Sequence, residues 1–291
     1  MSLSGAFGDL LAGLMPLDFR MLQRELGERI RKTPTPLNEY GFDRYGFHPE
    51  EALRLLPPVL FLYRYWFRVE NHGIDNVPPG RVLLIGNHAG QLPFDGMMLT
   101  MAMLLEAEPP RMVRGMGEYF IPKLPWLSTL AVRGGMMVGT PENCRHMLED
   151  GECVMAFPEG ARGINKPFSR RYRLERFGLG FMRLALETRT PIVPVAILGS
   201  EEQNPGIANF AGLGRALGMP SLPITIGFPW LGPLGLLPLP TKYHIHYGTP
   251  LRFEGDPNDD DGLIQAKVNR VRDAIHAMLQ DGLRERRGIF R

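Results

Sequence analysis

The run Asn87-His88-Ala89-Gly90-Gln91-Leu92-Pro93-Phe94-Asp95 sets an imidazole and a carboxylate on one short segment, with six residues between them. Imidazole titrates near neutrality, which suits a base that takes a proton and later returns it. A carboxylate on one ring nitrogen would fix the tautomer and stabilise the imidazolium as it forms. Gly90 and Pro93 permit the intervening chain to fold back, so Asp95 can fill that role. Two plainer roles compete. Asp95 precedes the apolar run GMMLTMAMLL and suits a helix N-cap, and His88 suits a hydrogen-bonded structural histidine. A second run, Phe157-Pro158-Glu159-Gly160-Ala161-Arg162, offers Glu159 as a hydrogen-bond acceptor and Arg162 as an anion clamp. Gly160 between them allows close approach of backbone to a ligand. Lys166, Arg170, Arg171, Arg173 and Arg176 follow at once, a pattern that a solvated basic helix start also produces.

The elements that position these residues are legible from periodicity. RVLLIGNH and ECVMAFPEG are short apolar runs ending in polar corners, the pattern of buried strands feeding loops. RMVRGMGEYF, AVRGGMMVG, TPIVPVAILGS and TKYHIHYGTPLRF read as further strand and loop segments. GMMLTMAMLLEAE, PENCRHMLEDG, ERFGLGFMRLALETR and the amphipathic DDGLIQAKVNRVRDAIHAMLQDGLRER read as helices between and after them. This alternation predicts an α/β fold, a central mostly parallel sheet flanked by helices, with both polar corners at one sheet edge. Residues 1–68 read as an N-terminal helical segment facing a membrane, and residues 69–291 as the α/β domain. Within the first segment, PEEALRLLPPVLFLYRYWFR is helical with a break at Pro57 and Pro58. Its aromatic second half, with Arg64 and Arg68 interleaved, fits a membrane interface and equally a helix packed on the domain.

Composition narrows the function classes. Thirty-three basic against 31 acidic residues give a net charge of +2, too balanced to argue for a nucleic-acid partner. Two cysteines, Cys144 and Cys153, make no disulfide framework, and no Cys/His pair has metal-ligand spacing. No metal is expected, and a reducing compartment is the default. The opening MSLSGAFGDLLAGLMPLDFR lacks a basic leader and a cleavage site. The uncharged stretch 221–241 is too rich in proline and glycine for an unbroken spanning helix. It offers Phe228, Trp230, Leu234, Leu236 and Leu237 either to an acyl groove or bilayer interface, or to the cover of a sheet edge. GLGRALG at 212–218 lacks the spacing and context of a dinucleotide loop, and no GxSxG, P-loop or zinc signature is present.

Taken in order, four runs resemble the glycerolipid acyltransferase family, of the lysophosphatidic acid and glycerol-3-phosphate acyltransferase type, from Arg68 to Phe253. They are NHAGQLPFD, RGGMMVGT (Arg133 to Thr140), FPEGAR and PIVPVAILG. The resemblance implies an O-acyltransferase in lipid metabolism, peripheral on the cytoplasmic face of a membrane. Its donor would be an acyl thioester, acyl-CoA or acyl carrier protein, used as co-substrate with no further cofactor. His88 would take the proton of an acceptor hydroxyl and Asp95 would orient it. Glu159, Gly160 and Arg162 would bind the glycerol or phosphate part of the acceptor.

The sequence also departs from the family. Its His-to-Asp gap is six residues where four are usual, with Pro93 in the place of the usual aspartate; diacylglycerol-acyltransferase-like branches also lengthen this loop. Thr140 stands where an acceptor-binding arginine is common, with Arg133 nearby as a substitute, and Ala161 replaces a threonine. Loss of a bidentate phosphate clamp points to a neutral acylglycerol or another lipid alcohol as acceptor. Two rivals stay open: a non-catalytic lipid-binding protein of the same fold, and a transacylase drawing its acyl group from a phospholipid.

Overall fold

The computed structural model describes residues 17–33, 35–117, 127–210, 212, 214 and 222–291. The opening residues 1–16 and most of GLGRALG lie outside the described residues. Among those described, seven strands form one sheet. They are β1 (Glu70–His72), β2 (Val82–Gly86), β3 (Val113–Gly117), β4 (Met137–Val138), β5 (Cys153–Ala156), β6 (Ile192–Leu198) and β9 (His244–Tyr247). The order is β1-β9-β6-β2-β5-β3-β4, and only the β6–β9 pair is antiparallel. A separate antiparallel hairpin, β7 (Gly206–Phe210) and β8 (Leu222–Thr225), stands outside this sheet.

Every residue of β2 and β6 is buried, as expected for strands covered on both faces. Alternate side chains divide between two cores. Val82, Leu84, Val193, Val195 and Ile197 face one core, shared with α1 (Leu17–Lys32), α2 (Pro49–Leu55), α3 (Pro57–Phe61) and α4 (Phe94–Leu105). Leu83, Ile85, Ile192, Ala196 and Leu198 face the other, built with α6 (Pro141–Glu149), α8 (Gly180–Glu187) and α10 (Asp261–Glu285). The stripe Ile264, Val268, Val271, Ile275 and Leu279 is the buried face of α10, at the i, i+3, i+4 spacing of an amphipathic helix.

The N-terminal helices are part of the first core. Leu26 and Ile30 of α1 are buried there, and Arg29 Nε donates to the Leu104 carbonyl at the end of α4. Pro57 starts α3 and so marks the anticipated break; the helix then ends in a π-helical turn, Leu62–Trp66. Tyr65 is exposed, whereas Leu60, Tyr63 and Phe67 are fully buried and Trp66 Nε1 donates to the Pro238 carbonyl at 3.0 Å. Of the two readings left open for this helix, the packed one describes these side chains. No described helix is long and apolar enough to cross a membrane.

Two local readings change. AVRGGMMVG is mostly not strand: α5 (Leu127–Arg133) runs into it, Gly135 turns with φ +90°, and only Met137–Val138 pair with β3. The strand β1 and the hairpin β7–β8 carry no clear alternation in the sequence and were not anticipated.

Candidate active site

Because β2, β5, β3, β4 and β6 run parallel, their C-terminal ends lie along one edge, and the polar corners meet there. Asn87 ends β2 by bonding both ways to the backbone of Ile197, its Nδ2 donating to the carbonyl at 3.0 Å and its Oδ1 accepting the amide at 2.8 Å. His88 is thereby fixed two residues beyond the strand. The loop then turns through two consecutive left-handed residues, Gly90 (φ +90°) and Gln91 (φ +64°). A Cβ at Gly90 would fall 2.3 Å from the Ser200 carbonyl, so this position needs glycine for space as well as conformation. Gln91 tolerates the strained backbone because it is held at both ends: its amide donates to the Ile164 carbonyl and its Nε2 to the Lys166 carbonyl.

This turn delivers Asp95 to His88. The Nδ1 of His88 lies 2.8 Å from Asp95 Oδ2, and that oxygen also accepts the Ala89 amide at 3.0 Å. The second oxygen, Oδ1, accepts the amide of Gly96 at 2.8 Å. Asp95 is fully buried in the first turn of α4, where the helix N-terminus favours negative charge. The N-cap position itself is Pro93, so Asp95 serves the histidine from inside the helix start. With a proton on Nδ1 held by the carboxylate, the basic lone pair of the imidazole sits on Nε2.

The second run braces the first. The Phe157 ring stacks on the His88 ring at 4.4 Å with planes 10° apart. Glu159 is buried and divides its carboxylate between two backbone amides, Oε1 to His88 at 3.0 Å and Oε2 to Glu175 at 2.7 Å. Burial raises its pKa, with Lys166 and the two amide donors opposing the rise. Gly160 turns the chain with φ +57° into the short helix α7 (Ala161–Ile164). Gly163 then passes so close that a Cβ would lie 2.7 Å from the His88 carbonyl.

A sequence profile named Acyltransferase matches residues 68–198, a span that holds all of these groups. An uncharacterized protein of Mycobacterium tuberculosis is 37% identical over 281 residues, covering 94% of this chain and 78% of the relative. The chain belongs to the acyltransferase family. More distantly, a "DGAT1/2-independent enzyme synthesizing storage lipids" from Gallus gallus is 25% identical over 217 residues, 73% of this chain and 60% of that protein. Among solved structures, the 1-acyl-sn-glycerophosphate acyltransferase PlsC of Thermotoga maritima shares the fold with a TM-score of 0.51 and 14% identity. That match covers 98% of this chain and 90% of PlsC.

The remaining anticipated residues fall into two groups. Arg162 is exposed beside the dyad, with Nη2 donating to the Arg176 carbonyl at 3.0 Å. Thr140 lies farther along the edge, beyond β5 and β3 after the end of β4, whereas Arg133 precedes β4, near where Gly135 packs on Met112 at the start of β3. With strands ~4.8 Å apart, the three-strand step from β2 to β4 is about 14 Å. Thr140 is the N-cap of α6, its Oγ1 accepting the Asn143 amide at 3.1 Å. Arg133 is drawn to the N-terminal segment, where it pairs with Glu51 at 2.9 Å and covers the Phe42 ring at 4.2 Å. Cys144 and Cys153 are buried, and burial pushes both thiols up to about 11, so neither is an activated nucleophile.

Sequence reasoning missed the layer behind the dyad. Lys166 is the one member of the basic run to be buried, with Nζ 3.0 Å from Glu201, 3.9 Å from Glu159 and donating to the Arg173 carbonyl at 2.8 Å. Burial raises Glu201 to about 7. Its neighbour Glu202 meets Arg286 at 2.7 Å and accepts the Tyr172 hydroxyl. Gln203 donates to the carbonyls of Gly90 and Leu92, tying α9 (Ser200–Gln203) to the loop between His88 and Asp95. One signal was available: Ser-Glu-Glu-Gln follows directly on a fully buried strand at the same edge as FPEGAR.

Proposed function

We propose that the protein moves a fatty acyl group from an acyl thioester to a hydroxyl of a glycerolipid acceptor at a membrane surface, with His88 as general base. The observation that carries this reading is the 2.8 Å contact between His88 Nδ1 and buried Asp95, at the sheet edge of an acyltransferase-family chain. His88 Nε2 takes the proton as the acceptor oxygen attacks the thioester carbonyl. The tetrahedral intermediate then collapses with loss of the thiolate, which receives that proton back from the imidazolium. Asp95 stabilises the imidazolium between the two transfers. The new ester C–O bond forms as the C–S bond breaks, and no acyl-enzyme is required.

For the acceptor, the engagement of Arg133 with Glu51 and of Thr140 with α6 favours a neutral acylglycerol or lipid alcohol over a lysophosphatidate. An avian relative that synthesizes storage lipids agrees with this. For the donor, a cavity of about 620 Å³ bordered by Arg171, Arg173, Arg272 and His276 suits a phosphate-bearing carrier. It adjoins the catalytic edge through Tyr172, whose hydroxyl accepts the Gly199 amide at the end of β6.

The bilayer contact is supported by a ridge of exposed apolar side chains. Ile207 and Phe210 on the hairpin, with Ile226, Trp230, Leu231, Leu234 and Leu237, are each more than half exposed, Trp230 at 71%. Asn204 Nδ2 donates to the Leu236 carbonyl, and Gly206 packs on Gln91, so the ridge adjoins the catalytic loop. Arg162, Arg170, Arg171, Arg173 and Arg176 are exposed in the stretch that follows the dyad's brace. An apolar ridge near arginines fits insertion into an anionic lipid surface.

The test is purified protein with labelled acyl-CoA and a panel holding monoacylglycerol, lysophosphatidate and other lipid alcohols, without phospholipid donor. Wild type yields labelled ester, greatest with the neutral acceptors, and folded His88→Ala yields none. Transfer that survives His88→Ala would remove the base, and strong preference for lysophosphatidate would remove the neutral acceptor.

A further inference from the structure

Three histidines, His72, His244 and His246, gather on the strands β1 and β9. These strands run parallel and in register, Glu70 opposite His244 and His72 opposite His246. Side chains two apart on a strand share a face, so all four stand on one side of the ladder. Tyr243, Ile245 and Tyr247 take the other side, in the first core. The polar face is held in shape by its neighbours. The His72 and His246 rings stack at 4.4 Å, and Gly282 lets α10 pass, since a Cβ there would lie 3.0 Å from His246 Nε2.

We infer that Glu70, His72 and His244 form a binding site for one divalent transition-metal ion of the zinc class. Their donor atoms all lie within 4.8 Å of one another. His72 Nε2 is 3.3 Å from His244 Nδ1, and His244 Nδ1 is 3.4 Å from Glu70 Oε2. Ligands at zinc's usual bond lengths of about 2.0–2.2 Å in a tetrahedron are separated by about 3.3–3.6 Å. Both spacings match that edge. Two imidazoles and one carboxylate are also a ligand set that leaves a fourth position open.

The surroundings fit as well. Glu70 keeps its other oxygen, Oε1, on Lys242 Nζ at 2.5 Å, an outer contact of the kind that orients ligating carboxylates. The cluster borders a cavity of about 560 Å³ that Arg287 and Arg291 also line. That basic rim favours an anion as the fourth ligand. The plain alternative is a hydrogen bond between two imidazoles beside a Glu–Lys ion pair, which binds no metal.

The two are separated by titrating tag-free, chelator-treated full-length protein with Zn²⁺ by calorimetry and with Co²⁺ by visible absorption. The expected result is one ion per chain, a cobalt spectrum of tetrahedral intensity, and a Tm that rises by several degrees with Zn²⁺. His72→Ala and the near-isosteric Glu70→Gln each weaken binding at least tenfold, whereas His146→Ala on α6 leaves it unchanged. Circular dichroism checks that the variants are folded. No stoichiometric binding to wild type, or binding that keeps its affinity in both His72→Ala and Glu70→Gln, would overturn the site.

Discussion

Replacing Asp95 by asparagine tests the dyad while nearly preserving shape. The carboxylate accepts three N–H groups, from His88 Nδ1 and Ala89 through Oδ2 and from Gly96 through Oδ1. An amide has one oxygen. If that oxygen stays with His88 and Ala89, the new NH₂ meets the Gly96 amide, donor against donor. If it turns to Gly96, the NH₂ meets the Ala89 amide and forces His88 into the tautomer with its proton on Nε2, which cannot act as base. Either way the imidazolium loses its buried counter-charge. At an effective dielectric constant of ~20, a unit pair about 3–4 Å apart is worth about 4–6 kcal/mol, or roughly 10³–10⁴ in rate. The expectation is a kcat for thiol release from acyl-CoA lowered by about 10³–10⁴, with KM nearly unchanged. A folded Asp95→Asn protein with kcat within about tenfold of wild type would refute the charge-partner role.

Three further expectations follow from the same region. Gly163→Ala places a methyl group against the His88 carbonyl and the Glu159 Cβ; a displacement near 1 Å should cost about 10² in kcat with a small change in Tm, and near-wild-type activity would mean the loop gives way freely. Burial raises Glu201 from 4.5 to about 7, so the unfolded chain loses this proton first as pH rises. Its cost to stability is absent below about pH 4.5, grows between there and about pH 7, and reaches about 3 kcal/mol above. Denaturant titrations should therefore show wild type losing stability relative to Glu201→Gln across that window, and parallel curves would count against it. Trp230→Ser with Leu234→Ser should abolish co-flotation with anionic vesicles while leaving the fold intact by circular dichroism; unchanged flotation would move the bilayer contact elsewhere.

Much of the site was legible because chemistry and strand ends coincide in this fold. RVLLIGNH and ECVMAFPEG each show a buried strand ending in polar residues, and parallel pairing puts such ends together. What could not be read were roles decided by distant partners. Glu159 looked like a ligand for the acceptor, yet both its oxygens serve the chain's own amides. Arg133 is drawn away by Glu51, and the buried place of Lys166 depends on Glu201, 35 positions later in the chain. The aromatic helix kept two readings because its side chains suit a core and an interface alike. The strand β1 is only three residues long and pairs with residues 174 positions away, so no local periodicity marks it.

The paired left-handed residues Gly90 and Gln91 bear on how loop length relates to catalysis. They take up the slack of a longer connection as a compact bulge, so Asp95 still reaches His88 from the first turn of α4. What must be preserved is the gap in space between the end of a strand and the start of a helix. Insertions at this corner are then tolerated wherever a glycine opens the turn and the residue after it is pinned. A pattern search that fixes four positions between histidine and aspartate would pass over such chains. One that asks for a strand end, a glycine within the loop and an acidic residue in the first helical turn would retain them.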